Sequence, residues 1–361
     1  MSIKYAEEFR DGVIAKDLAE KIRQKSKKNI RIMEVCGTHT MSIFKNGIRS
    51  VLPETITLLS GPGCPVCVTS QGEIDAFVNL SEKKDVIVAT FGDLIRVPGS
   101  DSSLQKKQAE GFDIRIVYSC LDALQIAKDN PDKTIIFPGV GFETTAPGTA
   151  ATIISAKQQG ISNFCVLSAQ KTVPPALFGL MSIPKVEIDG FLLPGHVSVV
   201  TGQNAFIPFT NEYNLPCVIA GFEPADILMG LLELIESIES KECSVKNAYT
   251  RAVSPEGNVR AREILYNVFK PCDAQWRGIG TIPGSGLSFK NDYEDYDAVK
   301  RFNLDISSNE KVKGCSCGEI LTGLKTPPDC SLYKKICTPL NPVGPCMVSS
   351  EGTCSAYYKY Q

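Results

Sequence analysis

Two rhythms of hydrophobic and polar positions run along this chain. Over residues 7–27, Phe9, Val13, Leu18 and Ile22 recur at helical intervals with charges between them, which predicts an amphipathic helix. Beyond it, short apolar runs predict strands at 30–35, 55–59, 85–90, 113–118, 134–137, 164–167, 190–193 and 216–220. Helical stretches at 73–82, 121–129, 148–159, 176–181 and 224–240 fall between or after them. Strands fit for burial on both faces, alternating with helices, predict parallel α/β sheets.

The residues just after each strand narrow the picture. The strand at 30–35 runs into CGTHT (36–40), and the strand at 55–59 into SGPGCPVC (60–67). Later strands run into FGD (91–93), PGVGFETTAP (138–147) and LPGHVSVVTG (193–202). Glycine and proline are what βα turns need on conformational grounds alone. That does not explain why His39, His196, Cys36, Cys64 and Cys67 all fall in these turns, at the sheet edge where open α/β folds bind ligands. Gly141-Phe142-Glu143 and Gly221-Phe222-Glu223 form a faint internal echo, each after a strand and before a helix.

With 361 residues and about 150 per domain, two or three domains are expected. The alternation fades after residue 240, and 278–290 (GIGTIPGSGLSFK) looks like loop. The expected division is therefore an α/β domain over 1–133, a second over 134–240, and a smaller Cys-rich unit over 241–361.

Charge and composition mainly exclude. The 38 Lys+Arg nearly cancel 40 Asp+Glu, so there is no basic footprint for nucleic acid. Apolar stretches stop well short of the ~18 residues that span a membrane, and the N-terminus lacks the apolar core of a secretory signal. A cytoplasmic protein is expected. Cysteine changes the picture: there are 14 Cys and only two His, and six of those Cys lie within 315–361. Without an export signal, such a cluster reads first as metal or redox chemistry.

The tail cysteines are Cys315, Cys317, Cys330, Cys337, Cys346 and Cys354. Their intervals lack the paired C-x₂₋₄-C spacing of a zinc ribbon, and six thiols exceed what one tetrahedral zinc takes. A [4Fe–4S] cluster on four thiols would leave two over as a neighbouring dithiol; zinc, or disulfides and free thiols, are the alternatives. Cys64-Pro-Val-Cys67 after a strand can be a redox dithiol. It lacks the Trp-containing context of thioredoxin, the lone Trp276 being far off in sequence. Cys36 and His39, three apart on a turn, can share a metal or form a nucleophile–base pair. The same residues with Cys64 and Cys67 would make a Cys₃His zinc site, or they are a buried thiol and a core histidine. Glu143, Thr144 and His196 alone indicate only a polar pocket.

Taken together, CGTHT, GPGCPVCVT, GFETTAP, LPGHVS and the tail CGEILTGLKTPPDC…CTPLNPVGPCMVSSEGTCSAYY closely resemble the HypD family of [NiFe]-hydrogenase maturation. The five motifs run in order from 36 to 358 and so span nearly the whole chain. The resemblance implies a scaffold that holds iron while cyanide and carbon monoxide are added to form Fe(CN)₂CO. It implies two partners, a small chaperone HypC and a cyanide donor HypE, and a fold of two α/β domains facing a cleft plus a third carrying a [4Fe–4S] cluster. By position it makes Cys36 the best candidate for an iron ligand or scaffold thiolate, with Thr38 and His39 close by, and Cys64/Cys67 a redox dithiol. Glu143, Thr144 and His196 would line the cleft. By analogy with ferredoxin:thioredoxin reductase, Cys315, Cys330, Cys337 and Cys354 would hold the cluster, with Cys317 and Cys346 as the adjacent redox pair. A free-standing Fe–S thiol–disulfide reductase is the alternative function.

Overall fold

The computed structural model describes residues 7–306 and 313–361. All eight strands expected from the apolar runs are present: β1 (Ile30–Glu34), β2 (Ile56–Ser60), β3 (Val86–Thr90), β4 (Ile114–Ile116), β5 (Thr134–Gly141), β6 (Phe164–Gln170), β7 (Gly190–Pro194) and β8 (Cys217–Ala220). Three more complete the set: β9 (Val245–Asn247), β10 (Phe269–Trp276) and β11 (Gly280–Phe289). The stretch expected to be loop at 278–290 is thus mostly strand. Strands β10 and β11 pair antiparallel, with an irregularity between Cys272 and Ala274. The hairpin is half-exposed and carries Pro271, Pro283 and several glycines, so no clean apolar run announces it.

Two parallel sheets carry the fold. The first runs β2-β1-β7-β8-β9 and the second β4-β3-β5-β6. Their strands interleave in sequence: the chain leaves the first sheet after β2, builds the second from β3 to β6, and returns for β7. The sheet boundaries therefore do not coincide with the expected division at 133/134. Partner choice between strands is a long-range property that local apolar patterning does not carry.

Alternate residues of each strand point to opposite faces, and both faces are covered. Ile30, Ile32, Leu192 and Val218 of the first sheet pack on Leu18, Ile22, Leu231 and Ile235 of helices Gly12–Lys25 and Pro224–Ser240. The opposite face sets Met33, Phe191, Leu193 and Ile219 against Leu177, Phe206 and Phe209. Helix Gly12–Lys25 starts later than its apolar spacing suggests, capped by Asp11, and Val13 is exposed. Helix Pro224–Ser240 starts on Pro224 at N1 with a Glu223/Asp226 capping box. The sequence echo corresponds to equivalent places: 141–143 ends β5 before helix Ala146–Gln158, and 221–223 comes after β8 and before Pro224–Ser240. No described helix is long and apolar enough to cross a membrane.

Candidate functional site: a thiol line ending at a sheet switch point

In the first sheet the chain passes from β1 to its neighbour β2, on one side, and from β7 to β8, on the other, while β1 and β7 lie side by side. That is a topological switch point, where the loops after adjacent strands part and leave a crevice at the carboxyl edge. Cys36 comes after β1 and His196 after β7, and Cys36 Sγ lies 3.8 Å from His196 Nδ1. Cys36 is buried and His196 is partly buried. Burial lowers the His196 pKa to about 4, so its ring is neutral at physiological pH. Burial pushes the Cys36 thiol far up; the His39 and Thr38 amides oppose this, while the charges of Glu34 and Glu351 add to it.

CGTHT is not a free turn. Cys36 is the N-cap of helix Gly37–Lys45, so Thr38 and His39 occupy its first turn. His39 is buried at the same sheet edge: its Nε2 meets the Gly221 carbonyl at 2.8 Å, its ring packs on Phe222 as that of His196 does, and burial lowers its pKa to about 4. Thr38 Oγ1 donates to Glu351 Oε1 at 2.6 Å, which ties the tail to this helix. Beneath Cys36, the buried Glu34 accepts the Cys36 amide at 3.0 Å and the Thr40 hydroxyl. Desolvation raises its pKa to about 8 against those hydrogen bonds.

The GPGCPVC loop lies directly on Cys36. Gly37 donates its amide to Gly63 O at 3.0 Å. A Cβ on Gly63 would fall 2.1 Å from Cys36 N, so only glycine permits this approach. Cys64 caps the short helix Pro65–Val68, accepting from the Cys67 amide at 3.3 Å, and the two sulfurs are 2.6 Å apart. Trp276, remote in sequence, is close in space: it bridges to Thr69 and shares a core with Cys64 and Cys67.

From Cys67 a line of thiols runs into the tail. Cys346 lies close enough to Cys67 for each thiol to act on the other, and Cys346 Sγ and Cys317 Sγ are 3.2 Å apart. Cys317 in turn contacts Cys315. All six tail cysteines wall one cavity, closed otherwise by Ile320, Leu332, Tyr333, Gly344 and Met347. Within it, Cys354 feels the charges of Cys315, Cys337 and Cys330, and burial raises its pKa. Six soft donors around an apolar cavity fit an iron–sulfur cluster. Among the described residues no three His, Cys, Asp or Glu side chains converge as a single-ion site.

Two expected residues lie apart from this line. Glu143 is buried, with Oε1 accepting the Val173 amide at 2.8 Å and Oε2 without a partner; desolvation raises its pKa to about 7. Its neighbour Phe142 shares the core of Cys64 and Cys67. Thr144 is exposed in a separate groove with Phe91, Tyr118 and Cys120. Sequence reasoning missed Glu34, Glu351 and Arg277. Glu34 had a signal, a lone acid ending an apolar strand. Arg277 had none: it is buried, donates to Thr69 O and Gln71 Oε1 at 2.8 Å each, and its charge acts on Cys315 and Cys317.

Known sequences identify the family. The HypD family model, described as "Hydrogenase formation hypA family", matches residues 13–361. The chain belongs to the HypD family. A putative hydrogenase expression/formation protein of Methanocaldococcus jannaschii is 44% identical over 353 residues, covering 97% of this chain and 98% of that protein. The hydrogenase maturation factor HypD2 of Bradyrhizobium diazoefficiens is 44% identical over 368 residues, covering 99% and 97%. HypD of Azotobacter vinelandii is 42% identical over 367 residues, covering 99% and 97%. Membership of the HypD family places the chain in hydrogenase maturation.

Proposed function

We propose that the chain is a redox-active scaffold on which substrate iron receives cyanide and carbon monoxide to become Fe(CN)₂CO. Its partners would be a small HypC-type chaperone and a HypE-type cyanide donor. The observation that carries this reading is the pairing of Cys36 and His196 at the switch point, with a buried dithiol beside it. Cys36 would hold the substrate iron through its thiolate, a soft donor suited to a metal bearing carbonyl and cyanide. The neutral His196 ring faces that sulfur, and Cys36 itself is buried.

Cys64 and Cys67 would exchange two electrons and two protons with the chemistry at Cys36. Regeneration runs along the thiol contacts. Cys346 attacks Cys67 of a Cys64–Cys67 disulfide, and Cys64 leaves as a thiolate. Cys317 then attacks Cys346 and frees Cys67. The net result is two thiols at 64/67 and a 317–346 disulfide, with two protons moved from the second pair to the first. Cys315, Cys330, Cys337 and Cys354 would hold a [4Fe–4S] cluster, which when bound supplies electrons one at a time. A reducing compartment, the cytoplasm, keeps such thiols available.

The alternative of a free-standing disulfide reductase is less well supported, because Cys64 and Cys67 are 3% and 0% exposed and out of reach of a protein substrate. The test is infrared spectroscopy of the chain co-purified anaerobically with its small chaperone. Cyanide and carbonyl bands are expected for the wild type and not for Cys36→Ala. Bands of wild-type intensity in Cys36→Ala would move the iron elsewhere.

A further inference from the structure

Turn 332–342 forms the outer wall of the six-thiol cavity. From inside, Leu332, Tyr333 and Cys337 line that cavity, and Val343 donates its amide to Cys337 Sγ at 3.4 Å. The turn is held by its own hydrogen bonds: the Ile336 and Cys337 amides donate to Leu332 O, and Asn341 Nδ2 to Ile336 O at 3.1 Å. Outside, the same turn carries Leu340 at 98% exposure and Ile336 at 56%. Side chains of this kind grouped together mark a surface that something covers.

The charge around them is one-sided. Lys334 and Lys335 stand exposed on the turn. Arg96 and Lys106 line the adjoining groove with residues 339–342, and Asp101 is the one carboxylate among the residues lining it. Among the described residues, Lys106, Lys334 and Lys335 form no ion pair. Arg96, Lys106, Lys334 and Lys335 outnumber Asp101 and Asp75, the latter accepting from Ser100 of the groove, in a chain whose net charge is −2.

We propose that this turn and groove dock a small acidic one-electron carrier protein, an inference that rests on the cluster reading of the tail. Electrons reach the thiols through the wall of their cavity, and this turn is a part of that wall with exposed apolar side chains, Cys337 lying behind Ile336. At the other end of the line, Cys346 and Cys67 are 2% and 0% exposed. Reducing one disulfide to two thiols takes two electrons and two protons, so two carrier molecules must dock in turn. That calls for a small, rapidly exchanging interface steered by charge, and an apolar centre with a basic rim provides it.

The experiment measures binding of an acidic plant-type ferredoxin to the anaerobically purified full-length chain by calorimetry, across a range of salt. Lys334→Glu with Lys335→Glu, and separately Leu340→Asp, change exposed side chains. Each is expected to weaken binding about tenfold or more, and the lysine pair to remove most of the salt dependence. Reduction by dithionite, which needs no docking face, should proceed as in the wild type. Unchanged affinity and salt dependence in both variants would overturn the proposal. So would loss of chaperone capture with ferredoxin binding intact, because the face would then belong to the chaperone. Iron and sulfide analysis of the wild type tests the cluster reading separately: absence of both would sink that reading, whatever the binding result.

Discussion

Gly63→Ala is the smallest change that should separate the Cys36 loop from the dithiol loop. A Cβ there falls 2.1 Å from Cys36 N, 2.3 Å from Cys36 Cα and 2.4 Å from Val35 C. All three are backbone atoms, so no side chain can swing aside. Carbon contacts settle near ~3.5–4.0 Å, and the two loops must part by more than an ångström. The Gly37 N–H to Gly63 O hydrogen bond, 3.0 Å long, then stretches or breaks. Overpacking of this kind costs about 1–3 kcal/mol, and the lost hydrogen bond adds about 1 kcal/mol. A loss of about 2–4 kcal/mol leaves a chain of ordinary stability folded.

The functional effect should be larger than the structural one. A displacement of about 1 Å between reacting groups can cost about 10²-fold in rate. Denaturant unfolding should show a lowered midpoint with an unchanged slope, and infrared bands of the assembled iron group should form slowly or not at all. Gly148→Ala is the control: nothing lies within 4 Å of a Cβ there, and the position is in helix Ala146–Gln158. It should be neutral or stabilising by about 0.4–1 kcal/mol. Gly63→Ala protein with wild-type stability and wild-type band formation would refute the claim that the two loops are held in contact at this residue.

Two further outcomes are expected. Lys171 and Glu73 form an ion pair at 2.9 Å with side chains 1% and 8% exposed; Lys171→Met should destabilise by about 3–5 kcal/mol because Glu73 is left buried and unpaired. Adding Glu73→Gln should recover much of that loss in the same thermal melt. Glu34 has its pKa raised to about 8 by burial, so the folded state holds this proton more tightly than the unfolded chain does. Its contribution is complete below the ordinary carboxylate pKa and is lost as pH rises through about 8. Unfolding midpoints should therefore fall from pH 5 to pH 9 and fall less steeply in Glu34→Gln, with Glu143, raised to about 7, supplying a remaining slope. A Glu34→Gln profile parallel to wild type would contradict this.

Much of the site was legible because its residues come at strand ends. Cys36 and His196 each stand straight after a short apolar run, and parallel strands deliver such residues to one edge. That β1 pairs with β7 on the side away from β2 depends on pairing across the whole chain, and no local pattern carries it. The partner of His39 was hidden for a related reason. CGTHT reads as a turn, but it opens a helix that rotates His39 towards Gly221. The spacing of the tail cysteines suggests a soft-metal site without saying which thiols are neighbours. Only folding sets Cys346 against Cys67, 279 positions earlier in the numbering. Hairpin β10–β11, broken by prolines and half-exposed, left no periodic trace, and with it Arg277 and the nearness of Trp276 stayed hidden.

The claim on which the account turns is the contact between Cys67 and Cys346, which joins the dithiol loop to the tail. It can be tested in Cys64→Ser/Cys317→Ser protein, where each sulfur has lost its other close partner. Mild oxidation with diamide, which takes up two electrons and two protons as it becomes a hydrazine, should join the remaining two sulfurs. Peptide mass spectrometry under non-reducing conditions should then find the Cys67–Cys346 disulfide as the main product, and reduction should reverse it. Protein that remains folded and yields no Cys67–Cys346 cross-link, while either sulfur pairs elsewhere, would contradict the thiol line.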